Sequence, residues 1–366
     1  MTRGLSWRNF DLLLLGAIVL ATAFGVAMIR SAVAGNDQLA PLVERQIYFA
    51  IGGLIAIFIV AAIDYHYWLA LYRPIYIVTM LLLISLFLSA QAVFGAARWF
   101  QVGVLFVQPT EFAKIVVILI LARYFDNAQN DPHNIPWIIR AFLWVFFLMI
   151  WILLQPNLSN VIVIMVIFFA MLWINGLDVR QLLIIGGSIL TLAVIAFPFL
   201  QPYQQARVLN FIQPQSNVSY GATYNVEQAL IAIGSGGLFG KGYGHGTQTQ
   251  LRFLKVRHTD FIFSAVSEEF GLVGGIAVIL VEIFIVWRCI RAAQKARDVS
   301  GAMIAYGVAI LLFFQGMANI AVNLKLIPVS GLPLPFISYG GSGLASLMLG
   351  VGLVESVVMR HKPLEF

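Results

Sequence analysis

Charge is what this sequence has least of. Only 10% of its 366 residues are Asp, Glu, Lys or Arg, against 61% hydrophobic. Soluble domains carry about a quarter of their residues as charges, so that class is excluded. Cysteine is nearly absent as well. Cys289 stands alone, which rules out an intramolecular disulfide, and the neighbouring Arg288 and Arg291 suit a reducing, cytoplasmic setting. A small-residue cleavage signature does not stand out after the first apolar run at 12–29, so a cleaved leader is not expected. The net charge of +6 does not point to nucleic acid, because the basic residues collect at the ends of apolar runs, where lipid headgroups and topology account for them.

What the sequence has in abundance is long apolar stretches. They predict ten membrane spans, near 11–30, 46–63, 74–91, 109–125, 138–154, 157–175, 181–199, 260–287, 302–325 and 337–358. The expected fold is an all-α polytopic membrane protein, one integral domain over 1–366. An even number of spans puts both termini on one side. Arg3, Arg8, Arg73, Arg123, Arg140, Arg180, Arg288, Arg291, Lys295, Arg297, Arg360 and Lys362 fall on that side, while the short loops opposite carry only Arg30, Arg45, Arg98 and Lys325. The termini are therefore expected in the cytoplasm. The polar stretch 201–257 then becomes a large extracytoplasmic loop between spans seven and eight.

The chain is organised around His258-Thr259-Asp260-Phe261-Ile262-Phe263-Ser264, where that loop runs into span eight. A carboxylate at the mouth of a membrane helix is costly. Two readings stand open for Asp260: an N-cap of the following helix, together with Thr259, or a general base. Upstream lie Gly240, Gly242, Gly244 and Gly246 with Lys241, Arg252, Lys255 and Arg257. Alternating glycines let backbone N–H groups approach an anion, and the cations favour one. A flexible loop drawn to anionic lipid would look the same.

Three further stretches stand out on the outer side. Residues 95–103, with Arg98 and Trp99, read as a re-entrant or interfacial segment, or as an aromatic-belt anchor. Gln108-Pro109-Thr110-Glu111-Phe112-Ala113-Lys114 starts a helix with proline, and Glu111 and Lys114 share a face. An apolar pair would be safer for stability, which favours function there. Gln155-Pro156-Asn157-Leu158-Ser159-Asn160 is a tight turn whose polar groups either cap a helix or line a cavity. Near the end, Pro328, Pro333 and Pro335 precede Phe336-Ile337-Ser338-Tyr339-Gly340-Gly341. A proline-broken entry of this kind presents a helix start to a polar site.

Taken together, GAARWF (95–100), QPTEFAK (108–114), QPNLSN (155–160), PYQQARVLNFIQP (202–214), YNVEQALIAIGSGG (224–237), GTQTQLRFL (246–254), HTDFIFS (258–264), EEFGLVG (268–274) and GLPLPFISYGGSG (331–343) resemble the SEDS family (shape, elongation, division and sporulation). The likeness covers the whole chain and is nearer the rod-shape elongation branch than the division branch. It implies a peptidoglycan glycosyltransferase of the bacterial inner membrane that polymerises lipid II beside a class B penicillin-binding protein. Asp260 would be the catalytic carboxylate, and Trp99, Glu111 and Lys114 match positions implicated in activity. Asn157, Arg207, Lys241, Arg252, His258, Thr259 and Ser338 join them as candidate substrate contacts. The chain departs from the family at Asn157, Ser159 and Asn160, at Lys255 and Val256, and at Gln213, but HTDF is intact.

The expected chemistry needs one carboxylate. Asp260 would take the proton of an acceptor sugar hydroxyl, while Lys114, Arg252 or a divalent cation such as Mg²⁺ or Mn²⁺ offsets the charge of the departing pyrophosphate. Asp260, Glu111 and Glu268 would hold such a cation only if they converge. The alternative is a transporter that moves lipid II across the bilayer, with Glu268, Glu269 and Glu282 deep enough to mark a path. A non-catalytic scaffold is a third reading and leaves Asp260 unexplained. The small residues Gly301, Ala302, Ala305, Gly307 and Ala309 of span nine and Gly271, Gly274 and Gly275 of span eight either pack the two spans against each other or seat the partner's single helix, Ala305 and Ala309 being the positions tested for the latter.

Overall fold

The structure, a computed structural model, describes residues 7–89, 98–102, 105–128, 135–199, 202–212 and 222–360. The helices in chain order are α1 (Leu12–Val33), α2 (Pro41–Ala62), α3 (Tyr65–Ala70), α4 (Tyr72–Ser89), α5 (Pro109–Asn127), α6 (Ile135–Leu154), α7 (Leu158–Ile174), α8 (Val179–Ala196), α9 (Pro202–Ile212), α10 (Ala222–Gly236), α11 (Thr247–Gln250), α12 (Ile262–Gln294), α13 (Val299–Asn323) and α14 (Gly341–Val358). Ten of them fall on the ten expected spans. Six are long and apolar enough to cross a bilayer outright, namely α1, α2, α6, α12, α13 and α14. The protein is an all-α multi-pass membrane protein.

Helices α5, α13 and α14 form the inside of the bundle. Nearly every residue of α5 from Pro109 to Ala122 is buried. Helix α14 lies along α2, and α13 packs on α12, α5 and α7. Outward faces of α1, α2 and α12 expose Leu12, Leu20, Ile51, Ile55, Leu272 and Leu280, as expected where the solvent is hydrocarbon. Backbone polar groups inside such a bundle must find partners within the chain, and this requirement shapes the irregular parts.

Helix α12 shows it best. Gly271 has φ +67 and breaks the helix, freeing carbonyls above and N–H groups below. The loop after α10 supplies the missing partners. Lys241 and Gly242 N–H groups donate to the Glu268 and Glu269 carbonyls (3.0 and 2.9 Å), and Leu272 and Val273 N–H groups donate to those of Gly237 and Leu238 (2.9 and 3.2 Å). The glycines exist for this contact. A Cβ on Gly236 would stand 1.9 Å from the Ser267 carbonyl oxygen, and one on Gly240 would stand 2.2 Å from that of Glu269. Of the glycines expected to cradle an anion, Gly240 and Gly242 use their N–H groups on the carbonyls of Gly236 and Glu269, which corrects the expectation at those two positions.

Residues 95–97 and 103 of the expected re-entrant or interfacial segment lie outside the described residues; beside them β1 (Phe100–Val102) pairs antiparallel with β2 (Leu105–Val107), Gln101 opposite Phe106. One further expectation is revised. Ala305 and Ala309 do not face a partner. They are buried within the bundle at 0% and 2% exposure, and between them a Cβ on Gly307 would meet Ile118 at 2.6 Å. Small residues here let α13 and α5 approach each other.

Candidate functional site

Residues Val256 to Phe261 form tight turns that deliver Asp260 two residues before α12 begins. The residue at the N-cap position is Phe261, and no side chain of that residue caps the helix. The N–H of Ser264 is instead taken by Asn323 Oδ1 at 3.1 Å, which also accepts the Ser264 hydroxyl at 2.6 Å. Asn319 and Asn323 both donate to the main-chain oxygen of Asp260, at 3.0 and 2.9 Å. Two amides four residues apart on α13 thus fix the backbone of Asp260 and leave its carboxylate out of the capping network.

That carboxylate is partly buried. Burial pushes it up to about 6, and the charge of Arg207 on α9 pulls in the other direction. Arg207 Nη1 donates to the Val329 carbonyl at 3.3 Å. Gly331, with φ +71, backs the carboxylate, its would-be Cβ 3.8 Å from Asp260 Oδ2. His258 is pushed down to about 4 by burial and then by Arg257, so it is neutral at pH 7.

The extended segment 329–340 ties this turn to the rest of the bundle. Ser338 Oγ donates to the Thr259 carbonyl at 2.7 Å and accepts the Leu334 N–H at 2.9 Å. Tyr339 N–H donates to the His258 carbonyl at 2.9 Å. Gln46 of α2 donates to the Ser338 carbonyl and accepts from Gly340 N–H, and Asn319 donates to the Leu332 carbonyl at 2.8 Å. Ser159, at the start of α7, donates to the Ser330 carbonyl. The prolines keep this segment from continuing α13 or entering α14 early.

A second polar cluster borders the same segment. Lys114 Nζ and Glu111 Oε2 pair at 2.8 Å, with the lysine side chain fully buried. A Cβ on Gly343 of α14 would stand 3.6 Å from Glu111 Oε2 and 3.9 Å from Pro333. Asn157 and Asn160 both donate to Thr110 Oγ1, at 3.5 and 3.1 Å. Asn157 caps no helix with its side chain; the polar groups of the turn at 155–160 bond instead to Thr110 and to the carbonyls of Leu83 and Ser330. Trp99 is half-buried beside Arg98, which donates to the carbonyls of Gln155 and Pro156.

Lys241 and Arg252 belong to a third cluster. Glu268 accepts from Lys241 (2.9 Å), the Thr247 and Thr249 hydroxyls and the N–H groups of Gln248 and Thr249. Arg252 donates to the Gly35 carbonyl. Asp260, Glu111 and Glu268 therefore do not combine as a cation site: the Glu268 oxygens are occupied by five donors, and no group of three His, Cys, Asp or Glu side chains gathers among the described residues. The amides Asn319, Asn323 and Gln46 and the hydroxyl of Thr110 complete the candidate site beyond the residues the sequence singled out. Two Asn four apart in an apolar span were the available signal.

This geometry can be set beside known proteins. The chain is 35% identical to the peptidoglycan glycosyltransferase MrdB of Escherichia coli K12 over 351 residues, 95% of this chain and 93% of the relative. It matches a chain of a peptidoglycan synthase complex, studied for how it coordinates polymerization and crosslinking, with a TM-score of 0.84 and 28% identity over 97% of this chain and 99% of that one. It matches the rod shape determining protein RodA of Thermus thermophilus with a TM-score of 0.72 and 27% identity over 98% and 99% of the two chains. Residues 5–363 match the family model for the cell cycle proteins FtsW, RodA and SpoVE, and the chain belongs to that family.

Proposed function

We propose that this protein is a peptidoglycan glycosyltransferase that polymerises lipid II into glycan strands, with Asp260 as general base. The observation that carries the reading is the freedom of the Asp260 carboxylate. Asn323 takes over the capping of α12, and Asn319 and Asn323 hold the Asp260 main chain, so the side chain is positioned without being used up. A carboxyl raised to about 6 remains mostly ionised at pH 7 and is more basic than an ordinary aspartate, as a general base requires.

In the proposed step, Asp260 takes the proton of the acceptor hydroxyl while that oxygen forms a bond to the anomeric carbon of the donor. The bond from that carbon to the pyrophosphate oxygen breaks, and polyprenyl pyrophosphate leaves with the electron pair. Displacement from the opposite face inverts the anomeric centre, so a second carboxylate of the glycosidase kind is not required. Arg207 beside Asp260 and the buried Glu111–Lys114 pair are the groups suited to orient the charged substrate. Among the described residues no three His, Cys, Asp or Glu side chains gather around a divalent cation, which suits a cation carried by the pyrophosphate itself. The likeness to MrdB and RodA supports the elongation branch, and the likeness to a synthase complex supports a cross-linking partner of the penicillin-binding type. The basic loops support cytoplasmic termini, a cytoplasmic-membrane location and an outward-facing site.

The test is polymerisation of purified lipid II by the purified full chain, with and without its partner and with and without chelator, reading glycan strand length on gels. Strands formed by wild type and absent with Asp260→Asn support the reading. Movement of lipid II across vesicles without strand formation would favour a transporter instead.

A further inference from the structure

Far from Asp260, about 40 Å along α12 at 1.5 Å per residue, the other end of the bundle carries a recess of about 290 Å³ lined by Asp11, Leu12, Leu13, Arg288, Arg291 and Lys295. A second recess of about 370 Å³ shares Leu12 and Leu13 with it and runs along α1 and α12 past Gly16, Leu20, Leu280 and Phe284. One is basic and the other wholly apolar, and they adjoin at Leu12 and Leu13.

The charges in the basic part do not cancel. Asp11 is the acidic residue of its lining, and both its oxygens are engaged. Oδ1 accepts the Leu14 N–H at 3.0 Å and Oδ2 accepts Arg288 at 2.8 and 2.5 Å. Glu355 lies beneath, fully buried, and accepts the Asp11 N–H at 3.0 Å. Arg291 and Lys295 are exposed, and among the described residues neither forms an ion pair. They follow Arg288 at steps of three and four, on one helix face. Trp287, half-exposed, has Arg288 and Arg291 over its ring at 5.6 and 5.2 Å, the arrangement of a side chain at headgroup depth. In the apolar part, a Cβ added to Gly16 would meet nothing within 4 Å, so the groove is open at its floor.

We propose that this paired recess binds one anionic phospholipid of the leaflet opposite Asp260. Its phosphate sits among Arg291, Lys295 and the remaining N–H groups of Arg288, and an acyl chain lies in the groove between α1 and α12. Charge complementarity selects the headgroup, and the adjoining apolar recess selects a lipid over a free phosphate. A cation cluster that served topology alone would need no groove attached to it.

The test is native mass spectrometry of the detergent-purified full chain with phosphatidylglycerol, phosphatidylcholine of the same acyl chains, and glycerol 3-phosphate. The expected result is about tenfold tighter binding of phosphatidylglycerol than of phosphatidylcholine, with no glycerol phosphate bound at the same concentration. R291Q/K295Q abolishes the preference, and Gly16→Phe, which fills the groove, weakens both lipids. All three positions are open to their surroundings, and an unchanged melting temperature checks the fold. Equal binding of the two lipids, phosphatidylglycerol binding unaffected by either variant, or glycerol phosphate bound as well as the lipid would each overturn the proposal.

Discussion

Ser338 Oγ donates to the carbonyl oxygen of Thr259 at 2.7 Å, across 79 residues of sequence. The same hydroxyl accepts the Leu334 N–H, so it locks both the extended segment and the turn that carries Asp260. Ser338→Ala leaves the Thr259 carbonyl without this donor. Loss of one such bond costs about 1–1.5 kcal/mol, so we predict that kcat falls about tenfold with KM for lipid II little changed. A change confined to KM would assign Ser338 to substrate binding instead.

The raised Asp260 carboxyl gives a pH signature. A base must be deprotonated to act, so kcat/KM should be flat above about pH 6 and fall about tenfold per unit below it. Arg207 opposes the rise, so removing its charge in Arg207→Gln frees the carboxyl to go higher. The acidic limb of the profile should then move to higher pH. A limb that stays put or moves to lower pH would separate Arg207 from Asp260.

The fit of the loop against α12 predicts a contrast between two glycines of α10. Gly236→Ala places a Cβ 1.9 Å from the Ser267 carbonyl oxygen, whereas Gly234→Ala meets nothing within 4 Å. The first should lower stability by about 1–3 kcal/mol, and the second should leave it unchanged or raise it by up to about 1 kcal/mol. Thermal unfolding of the two purified variants decides it. Equal effects would mean that the loop does not rest on the broken helix.

The buried ion pair predicts a second contrast. Lys114→Met leaves Glu111 buried and unpaired, a loss of about 3–5 kcal/mol, whereas Lys255 is exposed and Lys255→Met should leave folding and activity near wild type. The double change Glu111→Gln/Lys114→Met should recover the fold. Its polymerisation should stay depressed on the order of 100-fold if, as proposed, the pair orients the charged substrate. Recovery of activity along with the fold would make the pair structural only.

The bundle could be read from hydropathy because spans are long and the bilayer leaves few alternatives to a helix. The ten windows land on α1, α2, α4 to α8 and α12 to α14. Proline at the start of α5 and the Asp260 turn were also readable, since both rest on local residue chemistry. What failed was non-local. Whether Gly240 faced an anion or the Glu269 carbonyl depends on which backbone approaches it, and spacing carries no such information. Lys241 reads as a free cation in sequence but meets Glu268, 27 residues away. Ala305 and Ala309 read as a docking seam, yet small residues signal close approach without naming the partner. Asn319 and Asn323 were visible as amides in an apolar span, and only the fold ties them to Asp260.

Asp260→Asn tests most directly whether the Asp260 carboxylate supplies the base. The amide keeps the size of the side chain, and the bonds from Asn319 and Asn323 go to the main chain, so the fold should be preserved. Polymerisation of lipid II by the purified variant, at equal protein and with thermal unfolding as control, should fall by at least about 10³-fold. Glycan strands made by a well-folded Asp260→Asn protein at a rate near wild type would contradict the account.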